Sequence, residues 1–102
     1  MLLQSLKESV ETGAKDSSAH LKTSTRTAPE LGRVNGIPAA RATWEGTFVD
    51  EDANLRNKHR GFVYELDDRT TDINITCSDE IPRNERLLRL SETAVLTLQK
   101  FP

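Results

Sequence analysis

The sequence lacks the residues and runs that define several protein classes. Its single cysteine cannot form an internal disulfide, which argues against a disulfide-stapled secreted domain. Glycine occurs only five times, and no glycine-rich segment has the spacing of a phosphate-binding loop. No run approaches the roughly 20 apolar residues that a membrane-spanning helix needs. These absences exclude a disulfide scaffold, a nucleotide-cradling loop and a membrane span.

The sequence also lacks an excess of positive charge. The formal net charge is -2 and the isoelectric point is about 5.7, so nucleic acid is not an expected partner. In the N-terminal segment, charged residues follow too soon after the first apolar residues for a signal peptide. The chain as given therefore favours the cytoplasm, and a periplasmic location requires a signal that has been removed.

Length and hydrophobic content predict one folded domain. The chain has 102 residues, with 35% hydrophobic and 29% charged residues. The apolar residues are clustered, which is typical of a folded chain, and the length suits a single domain over residues 1–102 with a small core.

Helical periodicity is present at both ends. Near the N-terminus, apolar residues recur at helical spacing, and Gly13 is expected to end that helix. A second helix is expected to begin at Pro82 or Asn84. Its predicted core stripe is Leu87, Leu90, Ala94, Leu98 and Phe101, widened by Leu88 and Val95.

Strand periodicity fills the middle of the chain. The segment "NGIPAARATWEGTF" places one apolar set on one face: Ala40, Ala42, Trp44, Gly46 and Phe48. We therefore expect Trp44 in the core and a bulge or close backbone approach at Gly46. Further strands are predicted over residues 20–27, 58–66 and 71–77, with a turn at 30–36 and polar connections at 50–57 and 78–84.

This order predicts an α+β fold, a four-stranded antiparallel sheet covered by two helices. The sequence of elements is helix, four strands, helix. Short connections favour an antiparallel meander, and a sheet with one wet face needs the helices as a cover for the other.

One acidic segment partly matches the pattern of a calcium-binding loop. Asp50, Asp52 and Asn54 occupy the first three ligand positions of such a loop. Leu55 then stands where glycine is required, and Gly61 stands where the bidentate glutamate belongs. The sequence therefore predicts a solvated acidic loop, and neither a metal nor another cofactor is expected.

The nucleophile and imidazole candidates are sparse. Cys77 lies on the apolar side of its predicted strand, so a buried structural thiol is favoured. His20 and His59 have no partner at zinc-ligand spacing. Folding that brings His59 to Cys77 leaves a cysteine–histidine pair as an open alternative.

Three arginines precede or begin the last helix. Arg83, Arg86 and Arg89 recur every three residues. Pairing with Glu85 and Glu92 on a solvated helix face is favoured over phosphate binding.

Four segments together resemble the C-terminal part of the PsbP-like family. They are "NGIPAARATW", "RGFVYEL", "INITCSDEIPR" and the closing "LLRLSETAVLTLQKF". That family includes the extrinsic subunit of photosystem II, a Ran-binding nuclear import factor and small bacterial proteins. The resemblance implies an α/β sandwich that binds or assembles with proteins and has no enzymatic activity. Family members usually carry a further hairpin, for which this sequence shows no counterpart.

Two functional hypotheses follow from these observations. The first is a non-catalytic protein-interaction or assembly module that contacts its partner through the sheet face or the 50–60 loop, with a surface of Asp50, Asp52, Arg56 and His59. The second is a ligand-binding or enzymatic domain with a pocket near Trp44, His59 and Cys77.

Self-association is a further expectation. A four-stranded meander has two edges with unpaired backbone groups. The threonine-rich strand at 20–27 is one of them, and Lys22 and Arg26 only partly protect it. We therefore expect a homodimer, with twofold symmetry, in which the second copy extends the sheet or covers its face.

Overall fold

Two helices enclose an antiparallel sheet in the computed structural model, which describes residues 2–67 and 72–97. The elements are α1 Leu2–Ser18, β1 Thr23–Arg26, β2 Glu30–Val34, β3 Ile37–Asp50, β4 Leu55–Asp67, β5 Asp72–Ile81 and α2 Glu85–Leu96. The sheet order is β1-β3-β4-β5, and β2 also pairs with β3. This arrangement confirms the predicted α+β fold.

The first two strands share one edge of β3. β1 pairs with residues 44–47 and β2 pairs with residues 37–41, and the break between them contains Pro29. The turn predicted over 30–36 was too long, because only Asn35 and Gly36 turn, both with positive φ (49° and 82°). Asparagine followed by glycine suits such a turn. The sheet therefore has five strands instead of the four expected. Because β1 and β2 both lie along the same edge of β3, it is only four strands wide.

The two helices lie on opposite faces of the sheet. α1 buries Leu6, Val10 and Ala14 in one cluster with Trp44 and Val63, whereas α2 belongs to a second cluster on the other face. The second cluster contains Val34, Ile37, Ala39, Phe62, Tyr64, Leu66, Leu88 and Val95. The prediction of a wet face was therefore wrong for the centre of the sheet. Residues 61–67 of β4 are all buried because each face of that strand meets a helix.

Trp44 lies in the core, as predicted, with only 2% of its surface exposed. Its ring covers Gly61, the residue directly opposite on β4. A β-carbon at Gly61 would collide with Cζ2 and Cε2 of Trp44. The glycine therefore provides the space that the indole occupies.

Gly46 marks a close backbone approach, the second of the two alternatives that the sequence left open. Gly46 is paired with Ser24 of β1 and with His59 of β4, and the strand pairing continues past it without interruption. A β-carbon there would collide with the backbone oxygen of Thr23 and with the side chain of Leu21. A side chain at this position would therefore displace β1.

The first helix is longer than predicted. It continues through Gly13 to Ser18, where the Ser18 hydroxyl donates a hydrogen bond to the Ala14 carbonyl over 2.8 Å. A β-carbon at Gly13 would lie 3.3 Å from Cγ2 of Val63. Gly13 therefore serves close packing of α1 on β4 and does not end the helix.

The polar connections are also shorter than predicted. Asp50 pairs with Leu55, so the loop between β3 and β4 contains only residues 51–54. β5 continues to Ile81, and Asn84 then occupies the N-cap position of α2. The strands occupy much of the sequence that was expected to be loop. Neither helix among the described residues has the length and apolarity that a membrane crossing requires.

Candidate functional site

The apolar face predicted for the last helix is turned to solvent. Leu87 and Leu90 are 57% and 56% exposed, and Ala94 is also exposed. Leu88 and Val95, which were expected only to widen the stripe, are the buried pair. They lie seven residues apart, which is two helical turns, so both point to the sheet. Leu98 and Phe101 of the predicted stripe lie outside the described residues.

Hydrogen bonds hold the other side of α2 to the sheet. Glu92 accepts hydrogen bonds from Nε and Nη2 of Arg41 at 2.7 and 3.3 Å and from the hydroxyl of Tyr64 at 2.6 Å. Glu85 accepts one from Nη1 of Arg60 at 2.8 Å. Each carboxylate thus joins the helix to a strand residue, and together these bonds set the rotation of α2 about its own axis.

Burial and hydrogen bonding shift the pKa values of this cluster. Burial, followed by the hydrogen bond to Glu92, raises the pKa of Tyr64 to about 12. Burial of Glu92 opposes its ionisation, but the hydrogen bonds from Arg41 and Tyr64 outweigh it and lower the pKa of the carboxyl group. The hydrogen bond to Glu92 is the main reason that the pKa of Arg41 is raised. The cluster is therefore held as a cation, a carboxylate and a neutral phenol at physiological pH.

A groove of about 240 Å³ runs between α2 and the central strands. Its charged lining consists of Arg41, Arg60, Arg89, Glu85 and Glu92. All three arginines have a carboxylate within 3.3 Å, so an anionic ligand would have to displace a glutamate. The groove therefore functions first as the attachment of α2 and offers no free cation among the arginines that line it.

The arginine pattern seen in the sequence is only partly paired as predicted. Arg89 contacts Glu85 at 3.3 Å, but Glu92 pairs with Arg41 of β3 instead of a helix residue. Arg83 and Arg86 are exposed and form no ion pair with the described residues. The solvent side of the beginning of α2 is therefore basic, while its two carboxylates face the sheet.

The exposed side chains of α2 lie on the side of the helix that is turned away from β3, although the helix ends at the β2–β3 turn, where Nδ2 of Asn35 donates a hydrogen bond to the Leu96 carbonyl at 3.1 Å. Glu85, Arg89 and Glu92 face the groove above β3, and at 100° per residue Leu87 and Ala94 point in nearly the opposite direction. Since β5 is on the other side of β4 from β3, this direction is that of the free edge of β5.

The free edge of β5 and the exposed stripe of α2 lie on the same side of the molecule. No strand of the described chain pairs with the outer side of β5, which is ten residues long. Ile73 is 36% exposed on β5, and Ile75 and Cys77 are half-buried beneath α2. We call the edge of β5 together with Leu87, Leu90 and Ala94 the β5–α2 surface. Sequence reasoning missed it because the leucines matched a core pattern.

The four predicted surface residues do not form one patch. Asp50 ends β3, and its carboxylate accepts a hydrogen bond from the Ala53 amide at 3.2 Å. Asp52 is exposed in the turn that follows. Arg56 and His59 are both on β4, but their odd separation places them on opposite faces of the sheet. Asp50 and His59 share a face, and Arg56 is separated from them.

The sheet also divides the residues of the predicted pocket. Trp44 and His59 are on the α1 face, whereas Cys77 pairs with Phe62 and packs against the α2 cluster. His59 instead packs against Phe48, with ring centroids 5.7 Å apart, and His20 contacts the same ring at 6.2 Å. No cysteine–histidine pair forms between these residues.

Comparison with known proteins adds no relative. No protein-family model, curated protein or solved structure matches this chain, so the resemblance to the PsbP-like family stays a prediction. Within residues 2–67 and 72–97, no group of three or more histidine, cysteine, aspartate or glutamate side chains is placed to hold a metal ion. The β5–α2 surface is therefore the main candidate site.

Proposed function

We propose that this protein is a non-catalytic protein-interaction module that binds its partner through the β5–α2 surface. One observation carries the proposal: α2 exposes Leu87 and Leu90 more than halfway while burying the adjacent Leu88. Exposed leucines on the same side of the molecule as an unpaired strand edge combine two features of protein-binding surfaces, apolar area and free backbone groups.

The attachment of α2 supports this assignment. Ion pairs to Arg41 and Arg60 hold the helix in one rotation about its axis, so the leucines stay outward. Binding through a stripe that the fold already holds in place costs less conformational entropy than binding through a mobile one. The resemblance to the PsbP-like family agrees with a binding role.

The test is photo-crosslinking in living cells that express the chain naturally. A photoreactive amino acid replaces Leu90, and the matched control carries it in place of Leu31, an exposed leucine (44%) on β2 at the other edge of the sheet. We expect protein adducts from position 90 in clear excess over position 31. Equal yields from the two positions would overturn the proposal.

A further inference from the structure

We infer that a groove on the α1 face of the sheet binds a linear polyamine with three ammonium groups. The groove has a volume of about 520 Å³ and lies between one flank of α1 and the strands β4 and β5. We call it the α1–β5 groove. The leucines of the β5–α2 surface belong to the helix on the other face of the sheet, so this inference is independent of the proposed function.

Polar side chains line the α1–β5 groove on both sides. On α1, Glu8, Thr12 and Asp16 recur every four residues, so they form one stripe along the helix. On the sheet, Glu65 of β4 and Asn74 of β5 face this stripe. α1 packs on β3 and β4, so the groove stays open beside the exposed Asn74.

Glu65 is the observation that points to a ligand. It is only 8% exposed, and its Oε2 accepts a hydrogen bond from Nδ2 of Asn74 at 2.7 Å. Among the residues that the structure describes, no second donor and no cation reaches this carboxylate. Buried carboxylates in proteins are normally paired with a positive charge. The remaining oxygen, Oε1, therefore calls for a ligand that donates hydrogen bonds and is cationic.

The lining of the α1–β5 groove supplies no such cation. Besides the buried carboxylate it contains Glu8 and Asp16, and neither forms an ion pair with a described residue. Glu8 accepts only a hydrogen bond from Nε2 of Gln4 at 3.2 Å. Lys7 and Lys15 of the same helix do not line the groove. Three carboxylates thus share one groove without a basic side chain among them.

The spacing of these carboxylates fits an extended cation better than a metal ion. Glu8 and Asp16 are eight residues apart, which is about 12 Å along the helix axis. Across residues 2–67 and 72–97, no three acidic, histidine or cysteine side chains come close enough together to hold one metal ion. An extended triamine with short methylene linkers spans a length comparable to that of the stripe, and it carries one positive charge for each carboxylate.

A single cationic group would leave this stripe incompletely paired. One ammonium group at Glu65 would leave Glu8 and Asp16 without a cation. The hydroxyl oxygen of Thr12, between those two residues, can accept a hydrogen bond from an amine of the same chain. A triamine therefore matches both the number of charges and the polar groups between them.

The first test is a calorimetric titration of the full chain with spermidine at low ionic strength. We expect saturable binding of one molecule per chain. Glu65→Gln should weaken it at least tenfold, since a hydrogen bond to a charged group is worth that much or more. The matched control Glu11→Gln changes an exposed carboxylate of α1 outside the groove and should bind like wild type. Absence of saturable binding, or equal weakening by both variants, would overturn the inference.

A second variant keeps the test independent of the buried position. Asp16 is exposed, so Asp16→Asn should leave the circular dichroism unchanged and weaken spermidine binding severalfold. Butylamine, which carries one ammonium group, should bind wild type at least tenfold more weakly than spermidine. Equal affinities for the two amines would show that the groove takes a single cationic group, and the triamine would be ruled out.

Nuclear magnetic resonance then locates the bound amine. The side-chain amide of Asn74 donates to Glu65, so its signals should shift when spermidine is added. The side-chain amide of Asn57, eight residues from Glu65 on β4, should not shift. In Glu65→Gln the response at Asn74 should disappear at the same spermidine concentration. Equal shifts at positions 57 and 74 would show diffuse attraction to an acidic protein and contradict a site in the α1–β5 groove.

Discussion

At the scale of single residues, the indole of Trp44 depends on the absence of a side chain across the strand. Gly61 is paired with Trp44 and lies beneath its ring, so neither residue can be changed independently. Gly32, in contrast, has no atom within 4 Å of the position that a β-carbon would take. The two glycines therefore provide a matched comparison of packed and open sites.

We expect Trp44→Ala to lower the free energy of unfolding by about 3–5 kcal/mol, as truncation of a buried aromatic does. Gly61→Ala should lower it by about 1–3 kcal/mol through overpacking against the ring. Gly32→Ala, the control, should change it by less than about 0.5 kcal/mol. Urea denaturation measures all three, and equal effects of the two glycine variants would contradict the packing described for Trp44.

Tyr64 makes stability depend on alkaline pH. Its pKa is raised to about 12 from 10.0, so the fold favours the neutral phenol. The resulting stabilisation is fully present below pH 10 and is lost as the pH rises towards 12. Tyr64→Phe should cost about 1–2 kcal/mol at neutral pH by removing the hydrogen bond to Glu92. Its deficit relative to wild type should shrink between pH 10 and 12, and a constant deficit over that range would be inconsistent with this account.

At the scale of elements, α2 shows what an apolar pattern can and cannot establish. The three-four spacing of apolar residues correctly predicts a helix, and strict alternation correctly predicts that Trp44 is in the core. The apolar arc of α2 is wide, however, and includes both Leu87 and Leu88. Which part of the arc faces the sheet depends on the hydrogen bonds that Arg60 and Arg41 donate to Glu85 and Glu92, and such distant pairs have no signal in local periodicity.

Adjacent leucines of α2 should therefore differ sharply in their contribution to stability. Leu88→Ala should lower the free energy of unfolding by about 2–4 kcal/mol because it leaves a cavity between helix and sheet. Leu87→Ala should lower it by less than about 0.5 kcal/mol. Thermal or urea unfolding at a chain concentration low enough to dissociate a dimer separates these effects. A larger effect of Leu87→Ala would show that Leu87 faces the sheet, as the sequence predicted.

The β3–β4 hairpin should not bind calcium with the affinity of a sensor. Residues that would close a calcium loop, from Leu55 onward, are strand residues paired with β3. Isothermal titration with calcium should therefore give no saturable heat, and Asp52→Asn should behave like wild type. A dissociation constant of order micromolar, the range of sensor sites, would contradict this prediction.

At the scale of the whole molecule, the two cores are joined through the same strands. β3 and β4 send alternate side chains to the α1 cluster and the α2 cluster, so neither layer keeps its support when the other unfolds. The antiparallel order was predictable from short connections. The opposite placement of the helices was not, because it follows from the sheet pairing as a whole.

We therefore expect one cooperative unfolding transition. Trp44 fluorescence reports on the α1 layer, and the labelling rate of Cys77 reports on the α2 layer. The two probes should give the same urea midpoint, which is the test of two-state behaviour. Separate midpoints would show that the layers unfold independently.

The break at Pro29 gives the molecule unequal sheet edges, and this inequality restricts assembly by strand addition to one edge. β1 and β2 contain only four and five residues, so this edge offers two short segments in place of one continuous template. Interrupted edges resist strand addition. Among the described strands, the edge of β5 is therefore the only uninterrupted edge at which the sheet could be extended. A filament built by sheet extension requires two competent edges per unit, so the blunted edge opposes its growth.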